Sequence, residues 1–151
     1  MLGALRQADR SDGAGDAPLG PAPVLADVER LVARGRDAGL RVDVEWRGEH
    51  RALPAEFELS GYRIIQEAIT NVVRHSGADA CRVTVERGED DLSIEVTDEG
   101  RGSTVLPGAA GYGLTGMRER AALLHGEFTA GPRPEGGFRV AVRLPLPMAV
   151  A

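Results

Sequence analysis

Apolar residues recur along this chain with two different periods. From Leu25 to Ala38 they return every three or four positions, as on one face of a helix, and Gly39 stands where a left-handed cap would end it. From Leu40 to Trp46 every second residue is apolar, which is the period of a half-buried strand. The pattern predicts a helix followed directly by a strand.

The rest of the chain predicts two further helices and four strands. A long helix opens at Pro54 and runs to about His75, where Ser76-Gly77 closes it. The pattern then gives strands over Cys81 to Glu86 and Leu92 to Thr97, a helix over Leu114 to His125, and strands over Glu127 to Ala130 and Phe138 to Leu146. Adjacent hairpins with few crossovers favour an α+β fold, a two-layer α/β sandwich in which helices cover one face of a mixed sheet.

Composition sets the expected domain boundaries. Residues 1–9 have the apolar spacing of a short helical end, and residues 10–23 are rich in Gly, Pro, Asp and Ala, which is typical of a linker. We expect one domain over residues 24–147 and a short tail over residues 148–151. A helical end followed by a linker indicates that the chain is a piece of a longer protein. A frayed native N-terminus is the alternative interpretation.

The chain has 151 residues, 42% hydrophobic and 27% charged, enough for one domain with a real core. Its net charge of -5 gives no support for a nucleic-acid partner, so positive charge that binds phosphate must be local. No apolar stretch reaches the roughly 20 residues that span a bilayer and no signal-peptide pattern opens the chain, so we expect a cytoplasmic protein. Cys81, the single cysteine, is expected in the core, as are Trp46, Phe57 and Tyr62.

Four polar residues share one strip of the long helix. At 100° per residue, this strip spans about a quarter of the circumference, beside an apolar face of Ile65, Ala68, Ile69, Val72 and Val73; its members are Glu67, Asn71, Arg74 and His75. A nucleotide-bound Mg²⁺ needs only one or two protein oxygens, and the Asn71 amide could supply one. Glu67 could orient a water or an attacking group, and Arg74 and His75 could meet phosphate. A solvated polar face is the alternative, and for His75 a helix-terminal cap.

The strand that ends at Thr97 is followed by Asp98-Glu99-Gly100-Arg101-Gly102. A carboxylate at a strand end can accept the exocyclic amine of adenine, and the glycines Gly100 and Gly102 let the backbone approach a flat ring. An ordinary Asp-Glu-Gly turn is the alternative interpretation. Glu99 is expected to face solvent.

The stretch from Gly111 to Gly116 matches G-x-G-x-x-G literally, but a dinucleotide site needs a buried strand immediately before it. Residues 103–110 contain Pro and Gly and are typical of a loop, so that interpretation fails. What remains is a loop leading into a helix whose N-terminus, near Gly113, offers N–H groups and the positive end of the helix dipole to phosphate. No Cys/His cluster has the spacing of zinc ligands.

Taken in order, the three stretches resemble the ATP-binding (GHKL, or Bergerat) fold shared by gyrase, Hsp90, histidine kinases and MutL. The N box is matched by Glu67, Asn71, Arg74 and His75, the G1 box by Asp98, Gly100 and Gly102, and the G2 box by Gly111 and Gly113 with Leu114. Tyr112 joins the expected ATP site, and residues 103–110 would form the ATP lid.

This resemblance implies a role for each matched residue. Asn71 would coordinate Mg²⁺, Glu67 would assist phosphoryl transfer, and Asp98 would accept a hydrogen bond from the adenine amine. Arg74 and His75 would contact phosphates, and the G2 glycines would let the lid close. The implied chemistry is the positioning and charge stabilisation of the γ-phosphoryl group of ATP.

Over about residues 24–146 the chain also resembles the sensor histidine kinases that partner helix-turn-helix response regulators of the LuxR/NarL type. The resemblance is carried by Leu25-Ala26-Asp27-Val28, Tyr62-Arg63-Ile64-Ile65-Gln66-Glu67-Ala68, Met117-Arg118-Glu119-Arg120 and Gly136-Gly137-Phe138-Arg139-Val140. These kinases carry a phosphoacceptor histidine on a dimerising helix pair. Residues 1–9 of this chain resemble the tail of the second helix of that pair. None of His50, His75 and His125 fits that histidine. The implied protein is a catalytic domain that phosphorylates a histidine on a partner domain, upstream of a response regulator, and does not autophosphorylate alone.

Other functions of the same fold are alternatives. A stand-alone serine kinase and anti-sigma switch that holds a partner protein is the main one, and the segment 117–120 together with residues 1–9 favours the sensor kinase over it. A gyrase- or MutL-type ATPase would need a transducer domain for which the chain has no room. A degenerate domain that binds nucleotide without turnover is the third, although none of the boxes lacks a residue.

Overall fold

The computed structural model describes residues 22–49, 52–100 and 113–147. Its helices are α1 (Val28–Asp37, after a 3₁₀ turn at Leu25–Asp27), α2 (Ala55–Asn71, continued by a π-helical turn at Val72–Ser76) and α3 (Leu114–Leu123). Its strands are β1 (Arg41–Gly48), β2 (Ala80–Arg87), β3 (Asp91–Asp98), β4 (Glu127–Pro132) and β5 (Phe138–Pro145). The predicted opening segment, most of the linker and the tail lie outside the described residues.

The described strands form one sheet in the order β1-β2-β3-β5-β4. β1 and β2 run parallel, because α2 crosses over between them, and the other neighbours are antiparallel. α2 packs on the central strand β3, α1 on β1, and α3 on β4. The predicted two-layer arrangement, with a mixed sheet and helices on one face, is confirmed.

Alternation along the strands separates the two faces of the sheet. The inner face presents buried apolar side chains, such as Val83, Ile94 and Val142, to the buried face of α2. Gly61 permits this close packing, since a Cβ at that position would lie 3.0 Å from Leu25 Cδ2 and 3.2 Å from Ile94 Cδ1. Phe57, Tyr62 and Cys81 are buried as predicted.

The outer face of the sheet carries exposed ion pairs between neighbouring strands. Arg143 of β5 binds Asp91 on one side at 3.0 Å and Glu127 on the other at 3.2 Å, and Arg82 approaches Glu45 at 3.5 Å. Exposed pairs of this kind contribute little to stability, because water and salt screen their charges. They keep this face hydrated and confine the apolar core to the helical side.

Two predicted core residues are exposed instead. Trp46 is 39% exposed, because it lies near the end of edge strand β1, on an inner face that α1 does not cover to the end. Val73 is 42% exposed, because the π-helical turn breaks the 100° spacing that placed it on the apolar face of the long helix. Both errors arise from assuming that a regular element continues unchanged to its end.

Two helices end in the same hydrogen-bonded motif with different residues. After α1, the Leu40 N–H donates to the Gly35 carbonyl at 2.7 Å, and Gly39 adopts φ 89°. After α3, the Gly126 N–H donates to the Ala121 carbonyl at 2.8 Å, and His125 adopts φ 61°. Both are Schellman caps, but only the first has glycine at the left-handed position. The backbone at His125 is therefore strained.

We expect His125→Gly to raise the free energy of unfolding by up to about 1 kcal/mol, because glycine adopts positive φ without the Cβ penalty. Gly39→Ala is the matched reverse change, with an expected loss of about 1 kcal/mol, since a Cβ there meets nothing within 4 Å and only the backbone penalty is added. Urea unfolding of the three proteins measures both. A stability loss in His125→Gly would show that the imidazole makes contacts worth more than the strain.

Candidate functional site

The end of α2 carries the first group of candidate residues. Glu67 and Asn71 lie one turn apart in the α-helix and are half-buried, whereas Arg74 and His75 lie on the π-helical turn and are exposed. The regular helix predicted as far as His75 therefore ends at Asn71, and the single 100° strip holds only for Glu67 and Asn71. The wider turn projects the next two polar side chains away from the helix body.

Asp98 ends β3 on the inner face of the sheet, and only 4% of its surface is exposed. Its Oδ1 accepts a hydrogen bond from the Gly100 N–H at 2.8 Å, and the Phe138 N–H donates to the same carboxylate. Burial raises the pKa of Asp98 above its ordinary value of 3.8, and the two N–H donors and the Arg133 guanidinium oppose this rise in part. The sequence predicted a carboxylate at the end of this strand, and the structure adds that it is buried. Glu99 faces solvent as expected.

Two glycines bring the separate segments together. A Cβ on Gly100 would collide with the carbonyl oxygen of Ser76, so the turn after β3 lies directly against the end of the π-helical turn. A Cβ on Gly113 would lie 3.1 Å from Glu67 Oε1, so the start of α3 lies against the Glu67 carboxylate. These two approaches place Glu67, Asp98 and the N-terminus of α3 around one end of the sheet.

The start of α3 has the geometry predicted for it. Gly113 is the N-terminal cap with φ 73°, and the first helical bond runs from the Met117 N–H to its carbonyl at 3.1 Å. Leu114 packs against the core and fixes the direction of the helix. The N–H groups of the first turn and the helix dipole together favour an anion at this end.

The β4–β5 hairpin contributes contacts that the sequence analysis did not assign. Arg133 Nη1 donates to the Asp98 carbonyl at 3.0 Å, and a Cβ on Gly137 would collide with that same carbonyl. Phe138, the half-buried first residue of β5, donates its N–H to the Asp98 carboxylate. The Gly136-Gly137 pair was the available signal, because adjacent glycines in a hairpin mark a close backbone approach.

Some predicted site residues lie outside the described part of the chain. They are Gly102, Gly111 and Tyr112, together with the proposed lid over residues 103–110. Within the described part of the chain, no group of three or more His, Cys, Asp and Glu side chains could hold a metal ion. A Mg²⁺ held mainly by phosphate oxygens needs no such group, and the half-buried Asn71 amide is a suitable single ligand.

Comparison with known proteins places the chain among ATPase domains. Residues 58–148 match the family described as histidine kinase-, DNA gyrase B-, and HSP90-like ATPase. The sensor histidine kinase YxjM of Bacillus subtilis is 33% identical over 110 residues, covering 72% of this chain and 27% of that protein. The histidine-protein kinase/phosphatase UhpB of Salmonella typhimurium is 36% identical over 109 residues, covering 71% and 21%. The chain thus spans about a quarter of the length of these relatives.

Solved structures show the same fold. The ATP binding domain of PrrB from Mycobacterium tuberculosis has a TM-score of 0.56 and 23% identity, covering 82% of this chain and 94% of that one. The histidine kinase AdeS of Acinetobacter baumannii has a TM-score of 0.61 and 15% identity, covering 80% and 64%.

None of the described helices is long and apolar enough to span a bilayer.

The raised pKa of Asp98 predicts a pH-dependent stability. Because the folded protein holds this proton more tightly than the unfolded chain does, the stabilising contribution of Asp98 is present at low pH and is lost as the pH rises from 3.8 through the raised pKa. Wild type should therefore lose free energy of unfolding relative to Asp98→Asn in this window, by at most about 1.4 kcal/mol per pH unit. Urea unfolding between pH 3.5 and 7 measures the difference.

Glu99→Gln is the matched control, since it removes one carboxylate from the exposed side of the same turn. A stability difference between wild type and Asp98→Asn that does not change with pH would contradict the prediction. It would mean that the N–H donors fully offset the burial of the charge.

Proposed function

This chain belongs to the histidine kinase-, DNA gyrase B-, and HSP90-like ATPase family, and we propose that it is the ATP-binding catalytic domain of a sensor histidine kinase. It would transfer the γ-phosphoryl group of ATP to a histidine on a dimerisation domain, for use by a helix-turn-helix response regulator. Since it would use cellular ATP, it would act in the cytoplasm.

The observation that carries this proposal is the convergence of three distant segments on one end of the sheet. Glu67 and Gly113 are in close approach, as are Ser76 and Gly100, and the buried Asp98 lies beside them at the end of β3. The Asp98 carboxylate suits the adenine base, and the N-terminus of α3 suits the phosphates. The half-buried Glu67 and Asn71 suit the transferred phosphoryl group and its Mg²⁺. The arrangement needs no lysine loop of the Walker type.

Each residue has a distinct role in the proposed reaction. The Asp98 carboxylate would accept a hydrogen bond from the adenine amine. Asn71 would supply an oxygen to Mg²⁺, which would neutralise phosphate charge when bound. Arg74 and His75, with the amides at the start of α3, hold phosphate oxygens. These contacts would hold the negatively charged phosphates on a chain whose overall charge is -5.

In the transfer step, an imidazole nitrogen of the acceptor histidine bonds to the γ-phosphorus of ATP. The bond from that phosphorus to the β–γ bridging oxygen breaks, and ADP leaves with the electron pair. Glu67 accepts the N–H proton of the imidazole as the new bond forms. Its half-burial against Gly113 orients it toward the start of α3, where the phosphates would lie.

Asn71→Ala should weaken Mg²⁺-dependent ATP binding by about tenfold or more, the scale of removing one contact to a charged group. Calorimetric titration with a non-hydrolysable ATP analogue, with and without Mg²⁺, measures the effect. Val73→Ala is the control, because it shortens an exposed side chain on the π-helical turn that directly follows Asn71. Equal Mg²⁺-dependent affinities of wild type and Asn71→Ala would remove Asn71 from the metal site.

Incubation with γ-labelled ATP and a separate histidine-kinase dimerisation domain tests the phosphotransfer itself. We expect label on the dimerisation domain that is lost in acid and stable in base, as for phosphohistidine. Label should be absent when the acceptor histidine is replaced and should fall strongly in Glu67→Gln. Acid-stable label would indicate a hydroxyl acceptor and favour the serine-kinase alternative.

A further inference from the structure

A second concave surface lies at the end of the sheet opposite Asp98. It encloses about 510 Å³ where β1 and β2 end and β3 begins. Val85 and Leu92 form its buried floor, and Trp46, Val24 and Leu53 are its apolar walls. We call this surface the tryptophan groove.

The tryptophan groove leaves apolar surface open to solvent. Trp46 is 39% exposed and Val24 is 41% exposed, and they are two of the four large apolar side chains exposed among the described residues. The Leu25 N–H donates to Glu58 Oε1 at 2.7 Å, which ties the start of the 3₁₀ turn to α2 and fixes one wall. A preformed apolar groove with exposed walls is typical of a binding surface.

The preceding part of the chain joins the domain at this groove, because Val24 is one of its walls. Residues 10–23 can span up to about 46 Å when extended, so their length does not prevent residues 1–9 from reaching the groove. Met1, Leu2 and Leu5 give residues 1–9 an apolar face at helical spacing.

The charges at the rim do not oppose this occupant. Three glutamates and two arginines line the groove, a net charge of -1; they are Glu29, Glu49, Glu58, Arg47 and Arg87. Residues 1–9 carry Arg6 and Asp9, a net charge of zero from side chains. Docking would therefore depend on the apolar side chains of the segment.

We propose that residues 1–9 bind in the tryptophan groove through Met1, Leu2 and Leu5. The segment that resembles the end of a dimerisation helix would then contact the domain at the end of the sheet opposite the proposed nucleotide site. A displacement of that helix would change the contacts at the start of α2, where Glu58 binds the Leu25 N–H. This consequence for signalling rests on the proposed function, whereas the docking itself does not.

The single tryptophan makes the docking measurable, since all tryptophan fluorescence comes from the groove. The test variant is Leu2→Asp with Leu5→Asp, and the matched control is Gly3→Asp with Gln7→Asp, which adds the same charge to the opposite side of the helical pattern. Emission spectra and acrylamide quenching are recorded on the full chain without nucleotide. Circular dichroism checks that each variant is folded.

We expect the Leu2/Leu5 variant to show red-shifted emission and a higher quenching constant, and the Gly3/Gln7 variant to match wild type. Wild-type values in both variants would overturn the proposal. Protection of Trp46 from acrylamide that disappears when wild type is diluted would also overturn the proposal. The occupant of the groove would then be a second copy of the chain. Since no nucleotide is present, either failure leaves the ATP proposal standing, and a failure of ATP binding leaves this one standing.

Discussion

A carboxylate buried at the end of the central strand is the constraint on which the rest of the site depends. Asp98 is almost fully buried, so its charge requires donors close by, and the N–H groups of Gly100 and Phe138 provide them. A missing Cβ at residue 100 lets the turn that carries the first donor lie against Ser76, and a missing Cβ at residue 137 lets the hairpin that carries the second lie against the Asp98 carbonyl. The turn after β3, the end of α2 and the β4–β5 hairpin are therefore held at one point, and the raised pKa records the remaining cost of burial.

The end of α2 shows how a local irregularity serves the same site. A π-helical turn ends the helix, and Gly77 then takes φ 73° to leave it. The carbonyl of Ser76 is thereby placed against Gly100, while Arg74 and His75 face solvent. An acidic chain can in this way present cations and helix amides locally to phosphate without a basic overall field.

The two ends of the sheet have different characters. Polar groups, glycines and a helix N-terminus gather where β3 ends, whereas exposed apolar side chains gather where β3 begins. α2 lies along β3 and spans both ends, with Glu58 at one and Glu67 at the other. This one packed helix therefore joins the two ends of the sheet.

The sequence by itself determined the element types, their order, the helix cap at Gly39, the start of a helix near Gly113, and the burial of Phe57, Tyr62 and Cys81, because periodicity and glycine conformation act locally. It also picked out Glu67, Asn71 and Asp98 as candidates, whose roles remain predictions. Only the tertiary structure decided that Trp46 and Val73 are exposed, that α2 changes to a π-helical turn, and that Arg133 and Phe138 meet Asp98. The contacts of Arg133 and Phe138 join residues 35 and 40 positions from Asp98. The Gly136-Gly137 pair signals a close approach, but no local pattern encodes which distant residue is approached.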